Sequence, residues 1–136
     1  MDASGIFNGV TYWHWVNEMR IIYREAQLIK KAAEKVSFDY DGVLTTKQGQ
    51  SLIKRKMTEG YNVYIITARQ EKDAPAVLNF AKEYGVLRDH VYFTGGADKW
   101  HIIKRLGINK HYDNSKEQVD KINANTDCEA VLVDWE

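Results

Sequence analysis

From Val36 to Glu136, short runs of β-branched and aromatic residues alternate with amphipathic stretches, and this alternation restricts the fold more than any other feature of the chain. Residues 36–40, 61–67, 91–93, 110–113 and 129–133 read as five strands. Between them, residues 50–59, 73–84, 98–106 and 116–122 carry apolar side chains at helical spacing. In the first of these helices Leu52, Ile53 and Met57 point inward, against Lys54, Arg55 and Lys56 on the outer face. Gly60, Gly85 and Gly107 stand where helices should stop, and the sole proline, Pro75, falls in a first turn, where it is tolerated. Strands and helices joined by short links predict an α/β protein: a Rossmann-like three-layer sandwich with a parallel sheet covered on both faces by right-handed crossovers.

The bulk numbers agree with a soluble globular chain. Its 136 residues suffice for one domain with a real core, and 44% hydrophobic with 28% charged residues is a folded protein's balance. Lysine plus arginine and aspartate plus glutamate are 19 each, so net charge gives no argument for nucleic acid or an acidic membrane. Cys128 is alone and cannot form an internal disulfide, which fits a reducing compartment. No apolar run is long enough to span a bilayer and no leader pattern is visible, so the expected location is cytoplasmic. His14, His90, His101 and His111 are scattered, which predicts surface or boundary positions rather than a zinc site.

Residues 1–35 form a segment of a different kind. Tyr12, Trp15, Met19, Ile22, Ala26, Ile29 and Ala33 recur at steps of three and four, one seam along a helix with Thr11 as N-cap. Such a seam packs on its own domain or pairs with a second helix, giving a homo-oligomer or a docking site.

In open parallel sheets, ligands bind beyond the carboxyl ends of the strands, where the strand order reverses. The first strand ends in Asp39 and Asp41, followed by Gly42. The second ends in Thr67, with Ala68 and Arg69 after it; the third is followed by Thr94-Gly95-Gly96 and then Lys99; the fourth ends in Asp113 and Asn114. Taken alone, Asp39 and Asp41 could equally be solvated acids in a turn. Together with a hydroxyl and a cation on one sheet edge, they suit phosphoryl transfer. Asp39 would attack phosphorus as nucleophile, and Asp41 would serve as general acid and then base. Mg²⁺ would be held by Asp39, the backbone carbonyl of Asp41 and Asp113. Thr67, with Ala68 and Arg69, would bind phosphate oxygens, and Lys99 would offset their charge.

Asp39-Tyr40-Asp41-Gly42-Val43-Leu44-Thr45, the strand ending in Thr67, Lys99 at a helix start and Tyr112-Asp113-Asn114 resemble, in order, the four motifs of the haloacid dehalogenase-like (HAD) superfamily. The resemblance covers about residues 35–136 and implies strand order 5-4-1-2-3. It also implies an aspartyl-phosphate intermediate on Asp39. An aspartate two residues after the nucleophile is the superfamily's phosphatase and phosphotransferase pattern, so dehalogenation is set aside. Asn114 stands where many relatives carry a second acid, and Lys104 is the fallback for Lys99. The loop after the first motif is trimmed, and only one helix and one strand fit between Thr67 and Lys99, so residues 36–136 would be a catalytic domain without a cap. Capless relatives act on phosphorylated macromolecules, including polynucleotide ends, or on nucleotides and small metabolites under cover of a second subunit. The competing expectation is a binding module on the same scaffold with little catalysis, assembled through its N-terminal helix.

Overall fold

The structure is a computed structural model that describes residues 33–136. The expected N-terminal helix, with Thr11 and His14, lies outside the described residues. The elements run β1 (Lys35–Phe38), α1 (Lys47–Thr58), β2 (Asn62–Thr67), α2 (Pro75–Tyr84), β3 (Val91–Phe93), α3 (Trp100–Leu106), β4 (Lys110–Asp113), α4 (Lys116–Asn125) and β5 (Glu129–Leu132). All strand pairs are parallel and the order is β3-β2-β1-β4-β5, the expected 5-4-1-2-3 seen from the other edge.

Side chains alternate across a strand, and here the alternation divides the core in two. Val36 and Phe38 of β1, Val63 and Ile65 of β2 and Tyr112 of β4 pack with Leu52 and Ile53 of α1 and Val77, Phe80 and Ala81 of α2. Tyr64 and Ile66 of β2 and Ala130 of β5 pack on the opposite face with Ile103 of α3 and Val119 and Ile122 of α4. From β1 outward to β3 the helices cover one face. When the chain returns across β1 to β4 and β5, they cover the other, as crossovers of constant hand require when the direction of winding reverses. The reversal falls between β1 and β4, whose paired residues include Ser37 with His111 and Phe38 with Tyr112.

Several helix limits differ from expectation, and α3 begins at Trp100 rather than residue 98. α1 begins at Lys47, three residues before the apolar pattern does, because Thr46 caps it: its Oγ1 accepts from the Gly49 N–H at 3.1 Å. α4 continues to Asn125, past the expected end at residue 122. The expected helix at 73–84 is divided into a short 3₁₀ turn, Glu71–Asp73, and α2, with Pro75 at its start. Among the described residues, no helix is long and apolar enough to cross a membrane.

Candidate active site

The buried polar or charged side chains among the described residues are Ser37, Asp39, Thr67, Lys99, His111 and Asp113. All lie on or beside strands meeting at the reversal point or its flank. Burying such groups without partners is expensive, so their contacts show how the site is held together.

Asp39 follows β1 in extended backbone, and its N–H donates to the Tyr112 carbonyl at 2.9 Å, carrying the β1–β4 ladder one residue further. The chain then turns sharply. Gly42 sits at φ +79°, a left-handed conformation that favours glycine, and a Cβ there would collide with the Asn114 side chain. The Thr45 N–H closes the turn on the Tyr40 carbonyl at 3.2 Å, and the Thr45 hydroxyl accepts from the Gly42 N–H at 2.9 Å. α1 seats tightly behind, since a Cβ on Gly49 would fall on the Val43 carbonyl.

Asp39 and Asp113 occupy the same sheet face, each two residues beyond a member of the Ser37–His111 pair, and that face is the one α3 covers. Lys99, at the N-cap position of α3, therefore reaches both carboxylates. Its Nζ lies 2.9 Å from Asp39 Oδ1 and 2.7 Å from Asp113 Oδ2, and it is 2% exposed. Lys104, the fallback, is exposed on the last turn of the same helix. One buried cation thus serves two buried acids. Burial pushes the Asp39 carboxyl up to about 6, with Lys99 opposing and Asp113 adding to the rise. Burial would raise Asp113 too, but the His111 hydrogen bond and Lys99 overcome it and hold that carboxyl well below the usual range. Asp39 Oδ1 also accepts from the Tyr40 N–H at 2.9 Å, whereas Oδ2 has no hydrogen-bond partner among the described residues.

The other expected site residues are arranged differently. Asp41 is half-exposed and held by Arg69, whose Nε and Nη2 donate to its two oxygens at 2.9 Å each. Those bonds hold Asp41 below its ordinary pKa. The Arg69 guanidinium also lies 5.1 Å from the Tyr40 ring centre. Thr67 is fully buried at the end of β2, and its Oγ1 accepts from the Arg69 N–H at 3.2 Å. Ala68 between them is exposed. Among the described residues, no three His, Cys, Asp or Glu side chains cluster closely enough to hold a metal ion by themselves.

His111 requires a correction. Expected at the surface or a boundary, it is fully buried beneath the site. Its Nδ1 lies 2.7 Å from Ser37 Oγ and its Nε2 2.9 Å from Asp113 Oδ2. Burial lowers its pKa, with the Asp113 contact opposing, which favours the neutral ring. An ionised Asp113 has no proton to give, so Nε2 carries the hydrogen and Nδ1 accepts from the Ser37 hydroxyl. His90, by contrast, sits at a boundary, stacked on Tyr64 with Nδ1 3.0 Å from the Val63 carbonyl, and His101 is exposed. Gln118 of α4 was also missed: it accepts from the Lys99 N–H at 3.1 Å and donates to Asp98 at 3.1 Å, fixing the start of α3. A period-two signal pointed to His111 and Ser37, since each lies two residues before an acid on its strand.

No family model and no solved structure matches this chain. An uncharacterized protein of Acanthamoeba polyphaga mimivirus is 27% identical over 124 residues, covering 70% of this chain. The match spans only 25% of that protein's length.

Proposed function

We propose that the chain is a Mg²⁺-dependent phosphomonoester hydrolase of the haloacid dehalogenase-like type, working through an aspartyl-phosphate. The observation that carries this reading is the buried acid–lysine–acid bridge, Asp39–Lys99–Asp113, at the reversal point of a parallel sheet. A structural ion pair needs no second carboxylate, and two acids sharing one lysine carry excess negative charge at the place where such folds bind ligands.

Asp39 is the nucleophile. Its Oδ2 is free of hydrogen bonds among the described residues, while Lys99 and the Tyr40 N–H hold Oδ1 and so fix the carboxylate's plane. Attack of Oδ2 on phosphorus forms the acyl phosphate and breaks the ester bond. Asp41 gives the leaving oxygen its proton, then takes one from the water that cleaves the intermediate. For that to happen, Arg69 must leave Asp41, and a substrate phosphate oxygen is an equally good bidentate partner for it. Thr67 contributes its hydroxyl to the same phosphate.

The donors present fit a magnesium ion, because Asp39, Asp113 and the Asp41 carbonyl all offer hard oxygens and the two acids share a single cation, Lys99. When bound, the ion would neutralise phosphate charge and help orient the ester for in-line attack.

Between β1 and α1 the chain makes only a five-residue turn, and only short helical turns, α2 and β3 lie between Thr67 and Lys99. A site without a covering insertion favours phosphate on a macromolecule, such as a protein or polynucleotide end; a nucleotide or small-metabolite substrate would need another chain as cover. The deciding experiment compares Mg²⁺-dependent hydrolysis of an aryl phosphate by the wild type and Asp39→Asn. Activity in the wild type alone is expected. Equal rates on aryl, nucleotide and nucleic-acid phosphates would instead support a binding module, a reading favoured by the Arg69 clasp on Asp41.

A further inference from the structure

We propose that His111, held between Ser37 and Asp113, is a positioning residue that aims Asp113 at the ligand edge of the sheet. The inference rests on the phosphatase reading above, and its geometry is that of a continuous buried chain. Ser37 Oγ meets His111 Nδ1 at 2.7 Å; His111 Nε2 meets Asp113 Oδ2 at 2.9 Å; Lys99 Nζ meets the same oxygen at 2.7 Å and Asp39 Oδ1 at 2.9 Å. Ser37, His111 and Asp113 are all fully buried.

A carboxylate at a strand tip rotates about its own side-chain bonds unless something fixes its plane. Lys99 alone cannot do so, since an ammonium is a point charge without directional preference. His111 is rigid and planar, and it shares the strand and the face of Asp113, so its Nε2–H comes from a fixed direction. Both strong donors land on Oδ2. Oδ1 receives only the Ser115 N–H at 3.0 Å, leaving it the oxygen with capacity for a further partner. Ser37 completes the chain from the other side. Its hydroxyl, registered opposite His111 across the β1–β4 ladder, satisfies the buried Nδ1, while the acceptor-only Asp113 carboxylate keeps the hydrogen on Nε2. Partners that orient a ligating group in this way change metal affinity or activity by about 10–100-fold when removed. A histidine that merely filled the core would show no such effect.

The test uses the full chain. In protein with ¹⁵N-labelled histidine, long-range ¹H–¹⁵N spectra at pH 7.5 should show His111 as the neutral Nε2–H tautomer. An Nδ1–H form or an imidazolium would overturn the proposal. Mn²⁺ titration should show affinity lowered about 10–100-fold in His111→Phe but held within about threefold in His111→Gln, whose amide can still donate to Asp113. Unchanged affinity in the phenylalanine variant would sink the idea. If that variant does not fold, Ser37→Ala decides: Mn²⁺ binding weakened by loss of the Nδ1 partner supports the proposal, and wild-type affinity overturns it. Should the wild type neither bind Mn²⁺ nor hydrolyse phosphate, the phosphatase reading fails. The ¹³Cγ resonance of Asp113 then still decides positioning: it should shift in Ser37→Ala and stay in His111→Gln, and the reverse would overturn it.

Discussion

Asp39 and Asp113 share a lysine but are driven in opposite directions, and their stability effects should be opposite too. The Asp39 carboxyl is raised to about 6, so between roughly pH 4 and 6 the folded state holds a proton that the unfolded chain has released. Its contribution is therefore complete below the unfolded pKa and is lost as pH rises through 6. Asp39→Asn removes that penalty. At pH 8 in a chelator, the variant should gain about 1–3 kcal/mol in urea unfolding. Asp113 is depressed, so its contribution is present above the unfolded pKa and disappears only in acid. Asp113→Asn leaves Lys99 and His111 facing a neutral amide and should lose about 3–5 kcal/mol at pH 8.

Among the elements, the turn from β1 into α1 bears the tightest packing. Gly49→Ala drives a methyl into the Val43 carbonyl, which backbone cannot easily yield, and should cost about 1–3 kcal/mol by thermal or urea unfolding. Thr46→Ala removes a cap that bonds both the Gly49 N–H and the Val43 carbonyl, and about 1 kcal/mol should go with it. These contacts also show what could be read in advance. Strand positions were legible because runs such as residues 62–67 are apolar on both faces, and the strand tips placed Asp39, Thr67 and Asp113 on one edge. The start of α1 was not, because Lys47, Gln48 and Gly49 carry no apolar period and only the Thr46 side chain sets it. Lys99 could be preferred over Lys104 by position alone, but the direction of its ammonium depends on α3 packing on the sheet face that carries Asp39 and Asp113. The clasp between Asp41 and Arg69 joins side chains 28 positions apart and left no local trace. His111 was misread because a polar residue in a four-residue strand looks like an outward one; its spacing of two from Asp113 puts both on one face, and the register with Ser37 shows that this face is the inner one.

For the whole molecule, the phosphatase reading makes the short connections a matter of substrate size. Among the described residues no insertion stands over the β1 tip and Asp41 and Arg69 are partly exposed, so a free small phosphate ester would meet few contacts beyond the phosphate. Full-length protein should therefore turn over 5′- or 3′-phosphorylated oligonucleotides or phosphopeptides with higher kcat/KM than the corresponding free mononucleotide or phosphoamino acid. Steady-state kinetics on matched pairs checks this, and equal values would point instead to cover from another chain.

The strand order has a further consequence for how the protein comes into being. β1 is central, yet one of its two neighbours is β4, and the Ser37–His111 contact closes a separation of 74 positions. On a translating ribosome, β1, β2 and β3 emerge first and can associate, but β1 then stands as an edge strand with Ser37 and Asp39 facing water. Neither the lysine clamp nor the histidine support exists until residue 113 has left the exit tunnel. The site is thus assembled by the late half of the chain, and a nascent product cut short before β4 would carry the whole first motif without the machinery that makes it a site.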